Sequence, residues 1–385
     1  MGLLQLLALC GLATCCRATS MPVVVPKAWH LLSRGCNDSD VLGVTGFALQ
    51  DINKDRKYGY VLSLNRVSDV REHRQDGLGS LFYLTLDVLE TDCHVLSKKS
   101  WKDCGVRVLH ECVYGQCKVA FYVNKPRRVL YLHAYNCTLR PVSRRMIHDT
   151  CPDCPATSTT DLSNPRFLEA ATESLAKYNN ESTSKQYSLV KITKASTQWV
   201  VGPAYFVKYL IKESPCTKSW ASSCSLQLSD SKPVGLCKGQ LIKTDMKTSV
   251  SAECEFFESQ APVPEGENSA AKQGPKNLPK EEESQQEGTA PTNPSSKAVP
   301  RGSVQYFPDL DDEKPEGSQE KNLHEAFPVQ LDLTTNPLGE ELDVSFLFLG
   351  LVKEKLLVLP FPKRNHRSSE CPGPAQVGNP LVLPP

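Results

Sequence analysis

The sequence predicts an α+β chain. Two tandem copies of one domain, each a single helix packed on a four- to five-stranded antiparallel sheet, precede a C-terminal region expected to be largely disordered. Three observations carry that reading. First, four cysteines recur in order, Cys93, Cys104, Cys117 and Cys137 against Cys216, Cys224, Cys237 and Cys254, at offsets of 123, 120, 120 and 117 residues. Such self-similarity marks a duplicated structural unit. Second, each copy opens with an apolar stripe at helical spacing and continues in β-branched and aromatic runs. Third, composition shifts beyond residue 257. Residues 261–320 hold nine prolines and only two aromatics, Tyr306 and Phe307, too little apolar surface to offset the entropy of ordering.

Residues 1–20 read as a signal peptide. The apolar stretch 3–16 is too short to span a bilayer, and Ala18, Thr19 and Ser20 suit a signal peptidase, although a basic leading region is absent. The later stretch 342–359 is interrupted by Asp343, Lys353, Glu354 and Lys355. The chain is therefore expected to be secreted and extracellular, with no membrane partner.

The first domain, 28–143, opens with Ser39 as helix cap and Val41, Val44, Ala48 and Ile52 as the apolar stripe. Gly43 and Gly46 weaken that helix by about 1 kcal/mol each. Strands are expected over 58–67, 81–89, 106–123 and 128–137. A linker, 144–157, leads to the second domain, 158–257. There Asn164 is a good cap, Pro165 suits the first helical position, and Leu168, Ala171, Leu175 and Tyr178 mark the buried face. Strands follow over 187–193, 205–211, 234–244 and 250–257. A helix ahead of four antiparallel strands places the helix on one sheet face. Within 258–385, Thr289, Thr292, Ser295 and Ser296 are candidates for O-glycosylation, and 345–359 regains strand character.

Sixteen cysteines, less Cys10, Cys15 and Cys16 in the leader, leave 13, a disulfide framework in an oxidising compartment. The repeat pairs Cys93 with Cys104, Cys117 with Cys137, Cys216 with Cys224 and Cys237 with Cys254. Cys36 precedes the first helix and Cys371 lies far out in the tail; their pairing would fold the tail back. If Cys151 and Cys154 also pair, Cys112 is left over. It is then a buried strand thiol, a site for an intermolecular bridge, or an exchange partner for Cys117. Sequons at Asn37, Asn136 and Asn180 mark N-glycan sites expected on exposed loops, while Pro294 excludes Asn293.

Forty-four basic and 43 acidic residues give a net charge of +1, which argues against nucleic-acid binding. Arg127-Arg128 and Arg144-Arg145 read as solvated surface. The chain contains no His-Glu-x-x-His, no Gly-x-Ser-x-Gly, no phosphate-cradling glycine loop and no zinc-finger spacing. It is therefore not expected to be an enzyme, nor to carry a cofactor or a metal of its own.

Two short motifs stand out. Cys151-Pro152-Asp153-Cys154-Pro155 lies in the linker. No βαβ pattern supports a redox role, and two thiolates do not complete a zinc site. A bridged pair would instead close a very small ring stiffened by proline, with Asp153 as its only charged group. A protruding carboxylate suits a metal held by another protein; the alternative is a plain linker staple. The second motif, Gln198-Trp199-Val200-Val201-Gly202, lies between two predicted strands. It resembles the Gln-x-Val-x-Gly hairpin of cystatins, which helps plug papain-type clefts. The first copy aligns Gln75-Asp76-Gly77-Leu78-Gly79, with glycine for the valine, so papain-type inhibition by that copy is not implied.

Taken with the stretches 33–40, 134–142 and 381–385, these features resemble the fetuin family of the cystatin superfamily. Within it they resemble the branch of plasma glycoproteins that inhibits astacin-type zinc metalloproteinases, including the egg protease ovastacin. The resemblance covers essentially the whole chain. It implies a monomeric inhibitor that puts Asp153 on the target's catalytic zinc, with Cys151, Pro152, Cys154 and Pro155 holding it and Gln198, Trp199, Val200, Val201 and Gly202 as a flanking hairpin. It further implies a role in preventing premature zona pellucida hardening, in plasma and around the egg. Two alternatives are a papain-type inhibitor acting through residues 198–202 and a mineral or ligand carrier. The carrier would need an acidic sheet face, whereas the acidic run Asp309, Asp311, Asp312 and Glu313 lies in the tail.

Overall fold

The computed structural model describes residues 31–158, 161–182, 185–199, 202–214, 232–244, 246–257, 301–308, 329–348, 353–363 and 368–376. The leader 1–20, the O-glycosylation candidates, the acidic run 309–313, Val200, Val201 and the pair Cys216 and Cys224 lie outside these residues.

In the first domain, helix α1 (Ser39–Asp55) is capped by Asp38, whose carboxylate accepts from Asp40 N at 2.9 Å. The cap sits one residue before the expected Ser39, and the same carboxylate also holds Arg34 at 2.5 Å. Val41, Val44, Ala48, Leu49 and Ile52 are buried against the sheet. That sheet runs in the order β1 (Leu32–Ser33), β2 (Tyr60–Gln75), β3 (Gly79–His94), β4 (Val113–Asn124), β5 (Val129–Pro141), β11 (Arg301–Tyr306). The strand expected over 106–123 begins only at Val113. Before it, Arg107 turns inward to Glu90 at 3.0 Å and to the Thr91 carbonyl at 2.9 Å, with its guanidinium over the Tyr60 ring.

Within 258–385 the described residues are 301–308, 329–348, 353–363 and 368–376, and they pack on the first domain. β11 adds to β5 in parallel, Ser303 opposite Asn136, and makes the first sheet six-stranded. Tyr306 donates to Glu90 at 2.6 Å and accepts from Arg56 at 2.9 Å. A hairpin of β12 (Glu340–Asp343) and β13 (Lys355–Val358) lies on the outer sheet face. There Leu333, Val344, Leu356, Val358 and Leu359 bury Leu81, Tyr83, Ala120, Tyr122 and Ala134. The cause lies in β3, where Leu81 and Tyr83 face the tail while Phe82, Leu84 and Leu86 face α1. A sheet apolar on both faces gains roughly 25 cal/mol for each Å² of apolar surface a second cover removes from water. The bond between Cys36 and Cys371 pins the far end of the tail, and the amides of Gly373 and Gln376 donate to the Val67 and Asn65 carbonyls of β2.

Between the domains runs a short helix, α2 (Arg144–Thr150), then β6 (Ala156–Ser158). Helix α3 (Pro165–Glu181) starts at the expected Asn164 cap, whose side chain accepts from Arg166 N at 3.0 Å. Its buried face is Phe167, Ala170, Ala171, Ser174 and Leu175, whereas Leu168 is 50% exposed. Ala171 and Leu175 are buried as expected and Tyr178 is half-buried, while Phe167 takes the place expected of Leu168, because both fit a helical period. The second sheet runs β10 (Thr248–Phe256), β9 (Gly235–Lys243), β8 (Pro203–Glu213), β7 (Tyr187–Trp199), β6. Disulfides join Cys93 to Cys104, Cys117 to Cys137, Cys151 to Cys154 and Cys237 to Cys254.

The two domains touch directly. Tyr60, Leu210 and Leu236 form one buried cluster with Leu96 and Phe257, and the Tyr60 and Thr193 hydroxyls lie 2.8 Å apart. Lys194 and Lys208 stand opposite each other on β7 and β8, a repulsive placement. Glu111 of the first domain answers it, since its carboxylate meets Lys208 and its carbonyl meets Lys194. Burial opposes the charge on Glu111, but Lys194 and Lys208 outweigh it and hold the carboxyl at about 2.

Candidate functional site

The linker motif is built as a clamped ring. The Cys151 amide donates to the Ile147 carbonyl at 2.7 Å and so closes α2, and the Cys154 amide donates to the Cys151 carbonyl at 3.1 Å inside the bridged turn. Immediately afterwards β6 joins the edge of β7, with Ala156 opposite Thr197. The ring is therefore anchored on both sides. Pro152 and Asp153 are exposed, and among the described residues nothing bonds the Asp153 carboxylate. Its backbone carbonyl, by contrast, accepts from Gln198 Nε2 at 2.6 Å.

Gln198 and Trp199 end β7, and Pro203 starts β8 opposite Trp199. Trp199 is 77% exposed. A Cβ at Gly202, whose φ is +152°, would lie 2.2 Å from the Lys243 carbonyl, so only glycine lets this hairpin lie against the turn joining β9 and β10. That second turn is closed by Thr244, whose hydroxyl donates to the Lys247 carbonyl at 2.8 Å. Met246 in the same turn is 99% exposed. Sequence reasoning passed over Met246; an apolar residue inside Thr-Asp-Met-Lys, a polar turn, was the available signal. Ring and first hairpin border a groove of about 490 Å³ lined by Pro152, Asp153, Gln198, Trp199, Pro203 and Tyr205.

The remaining predicted residues fall elsewhere. Cys112 is a buried free thiol in the turn ahead of β4, not within the strand, and burial pushes its pKa up to about 12. That burial keeps it from acting as a nucleophile or exchange partner. The sequons do not all lie on exposed loops: Asn37 is in the turn before α1, Asn180 in the last turn of α3 and Asn136 within β5. The Asn136 side chain donates to the Gln330 carbonyl and accepts from Ser303 at 3.1 Å, because the tail docks over it. In the first copy Gln75 is turned to the tail, donating to the Leu357 carbonyl and accepting from the Leu357 amide, both at 2.8 Å. Among the described residues no group of three or more His, Cys, Asp or Glu side chains is arranged to hold a metal, and no helix is long and apolar enough to cross a membrane.

The cystatin domain family matches residues 33–125 and 155–245. Human fetuin-B is 70% identical over 385 residues, covering 100% of both chains. The chain belongs to the fetuin-B family. Fetuin-B has been solved with two proteases. Mouse fetuin-B in complex with crayfish astacin is 58% identical with a TM-score of 0.72, covering 92% of this chain and 98% of that one. Mouse fetuin-B in an inhibitory complex with human meprin beta is 57% identical with a TM-score of 0.72, covering 91% of this chain and 99% of that one.

Proposed function

We propose that this chain inhibits astacin-type zinc metalloproteinases by setting the Asp153 carboxylate on the target's catalytic zinc. One observation carries the reading: an exposed carboxylate with no partner among the described residues sits on a disulfide-closed ring beside the exposed Trp199. A catalytic zinc keeps three protein ligands and one open position, where its water becomes the nucleophile. A carboxylate oxygen in that position removes the nucleophile. The ring is closed by its disulfide before binding, so little entropy is lost on docking, and the hairpins carrying Trp199 and Met246, which follow one another beyond β6 in the sheet, supply contact area to one side. The complexes of mouse fetuin-B with crayfish astacin and human meprin beta support the same class of target.

Asp153→Ala is expected to raise the inhibition constant against an astacin-type enzyme by about 100-fold or more, since a ligand bond to a metal is lost rather than one neutral contact, with the thermal unfolding profile unchanged. A variant that inhibits as well as the parent would end the proposal. The reading extends to secretion into plasma and to an ovastacin-type egg enzyme, whose restraint would keep the zona pellucida from hardening early and so support fertilisation. Papain-type inhibition is the second reading, and the side chain of Gln198 counts against it, because it is turned onto the linker ring.

A further inference from the structure

The geometry points to Gln198 as a positioning residue: its amide grips the backbone of the linker ring and thereby aims the Asp153 carboxylate, without touching the protease. The inference rests on the zinc-directed reading of Asp153 given above.

Three observations lead here. The Asp153 carbonyl is an acceptor, so the atom of Gln198 facing it at 2.6 Å has to be the donor Nε2. Ring closure alone leaves the loop free to pivot about its two ends, Cys151 at the end of α2 and Pro155 before β6. The contact from Gln198 supplies a third fixed point, at the very residue whose side chain is presented. Finally, the duplicated domain repeats the device. In the first copy Gln75, two residues past the position that matches Gln198 in sheet register, holds the backbone of Leu357 through both ends of its amide. A glutamine near the end of this strand grips an appended segment in each copy. Sequence comparison with papain inhibitors assigns the same residue to the protease contact, whereas here its donor is already committed inside the molecule.

The chemistry demands a donor. Gln198→Glu keeps size and shape but offers only carboxylate oxygens to a carbonyl oxygen, and Gln198→Ala removes the group. Both are tested in the full-length protein, by affinity for an astacin-type enzyme and by hydrogen exchange across residues 148–158. Each change is also placed on Asp153→Ala. The expected result is a weakening of about fivefold in the parent, the size of one net hydrogen bond, no weakening beyond Asp153→Ala in the double variants, and faster exchange of the ring amides. Equal weakening in both backgrounds would mean that Gln198 meets the protease itself, and would overturn the inference. Unchanged affinity and unchanged exchange would overturn it as well. If Asp153→Ala alone kept full inhibition, the zinc-directed reading would fail, while the exchange measurement would still decide whether Gln198 holds the ring.

Discussion

The two copies of the domain start from one plan and end at opposite degrees of exposure. In the first, α1 covers one face of the sheet and the tail hairpin β12–β13 covers the other. Gln75, at the end of β2, is committed to the tail. In the second, no tail hairpin lies over the sheet among the described residues. Its edge takes β6, and its two hairpins end in the exposed Trp199 and Met246. The register makes the parallel close. Leu32 of β1 lies against Glu72 of β2, and Ala156 of β6 against Thr197 of β7, which holds the matching place in its hairpin. The bridged ring therefore enters the second copy where the chain leading to β1 enters the first. Duplication supplied two potential working ends, and the tail closed one of them.

Uncovering the first copy is the strongest way to break this contrast. Leu356 is fully buried between tail and sheet. Leu356→Ala is expected to destabilise the first domain by about 2–4 kcal/mol, through lost burial and the cavity left behind. Urea unfolding followed by hydrogen exchange at β3 would read it. Affinity for an astacin-type enzyme should stay at the parent value, because the working end lies on the other copy. A parallel loss of affinity would show that the two ends are not independent.

The helix start at Asn164-Pro165 and the ring at 151–154 were legible because each depends on residues close in sequence, and the duplication because the same cysteine order recurs. In the stripe of α3 only Leu168 departs from the expectation, since period alone does not rank Phe167 above Leu168. The docking of 329–348 and 353–359 was not legible for another reason: composition reports what a segment can bury by itself, and these residues pack against the sheet they cover. A signal did exist in Leu81-Phe82-Tyr83-Leu84, where alternation fails because both faces are buried. The grip of Gln198 on Asp153 joins residues 45 positions apart, and no local pattern encodes that. Gln75 and Leu357, 282 apart, are further still from anything a window of sequence can show.

Acid should act on the junction between the copies. His94 stacks on Phe257 at 5.9 Å and meets the edge of Tyr60 at 5.4 Å, and its Nδ1 accepts from Leu96 N. Burial first, then Arg56, Arg107 and Lys191 against the opposing pull of Glu90, bring its pKa from 6.5 down to about 4. The unfolded chain therefore takes up a proton near pH 6.5 that the folded one refuses until about pH 4. Stability is full above that window and falls through it as pH drops, by on the order of 2 kcal/mol. His94→Phe keeps the stack and removes the titration. Denaturant midpoints measured from pH 7 to pH 4 should slope less in that variant; an unchanged slope would place the acid sensitivity elsewhere.

The finest test returns to the paired glutamines. Gln75→Ala removes two hydrogen bonds to the Leu357 backbone but leaves the apolar cover of β3 in place. A net loss of about 1 kcal/mol is expected, since each such bond contributes modestly once water competes for the same groups. The tail should remain docked, with faster hydrogen exchange confined to β13, and affinity for the protease should not change. The contrast with Gln198 is then a matter of what each amide holds. The same small loss in local order is silent where the gripped segment only covers a sheet, and is felt in affinity where the gripped segment carries the carboxylate. If Gln75→Ala weakened inhibition as much as Gln198→Ala, the two glutamines would share a structural role with no special link to Asp153.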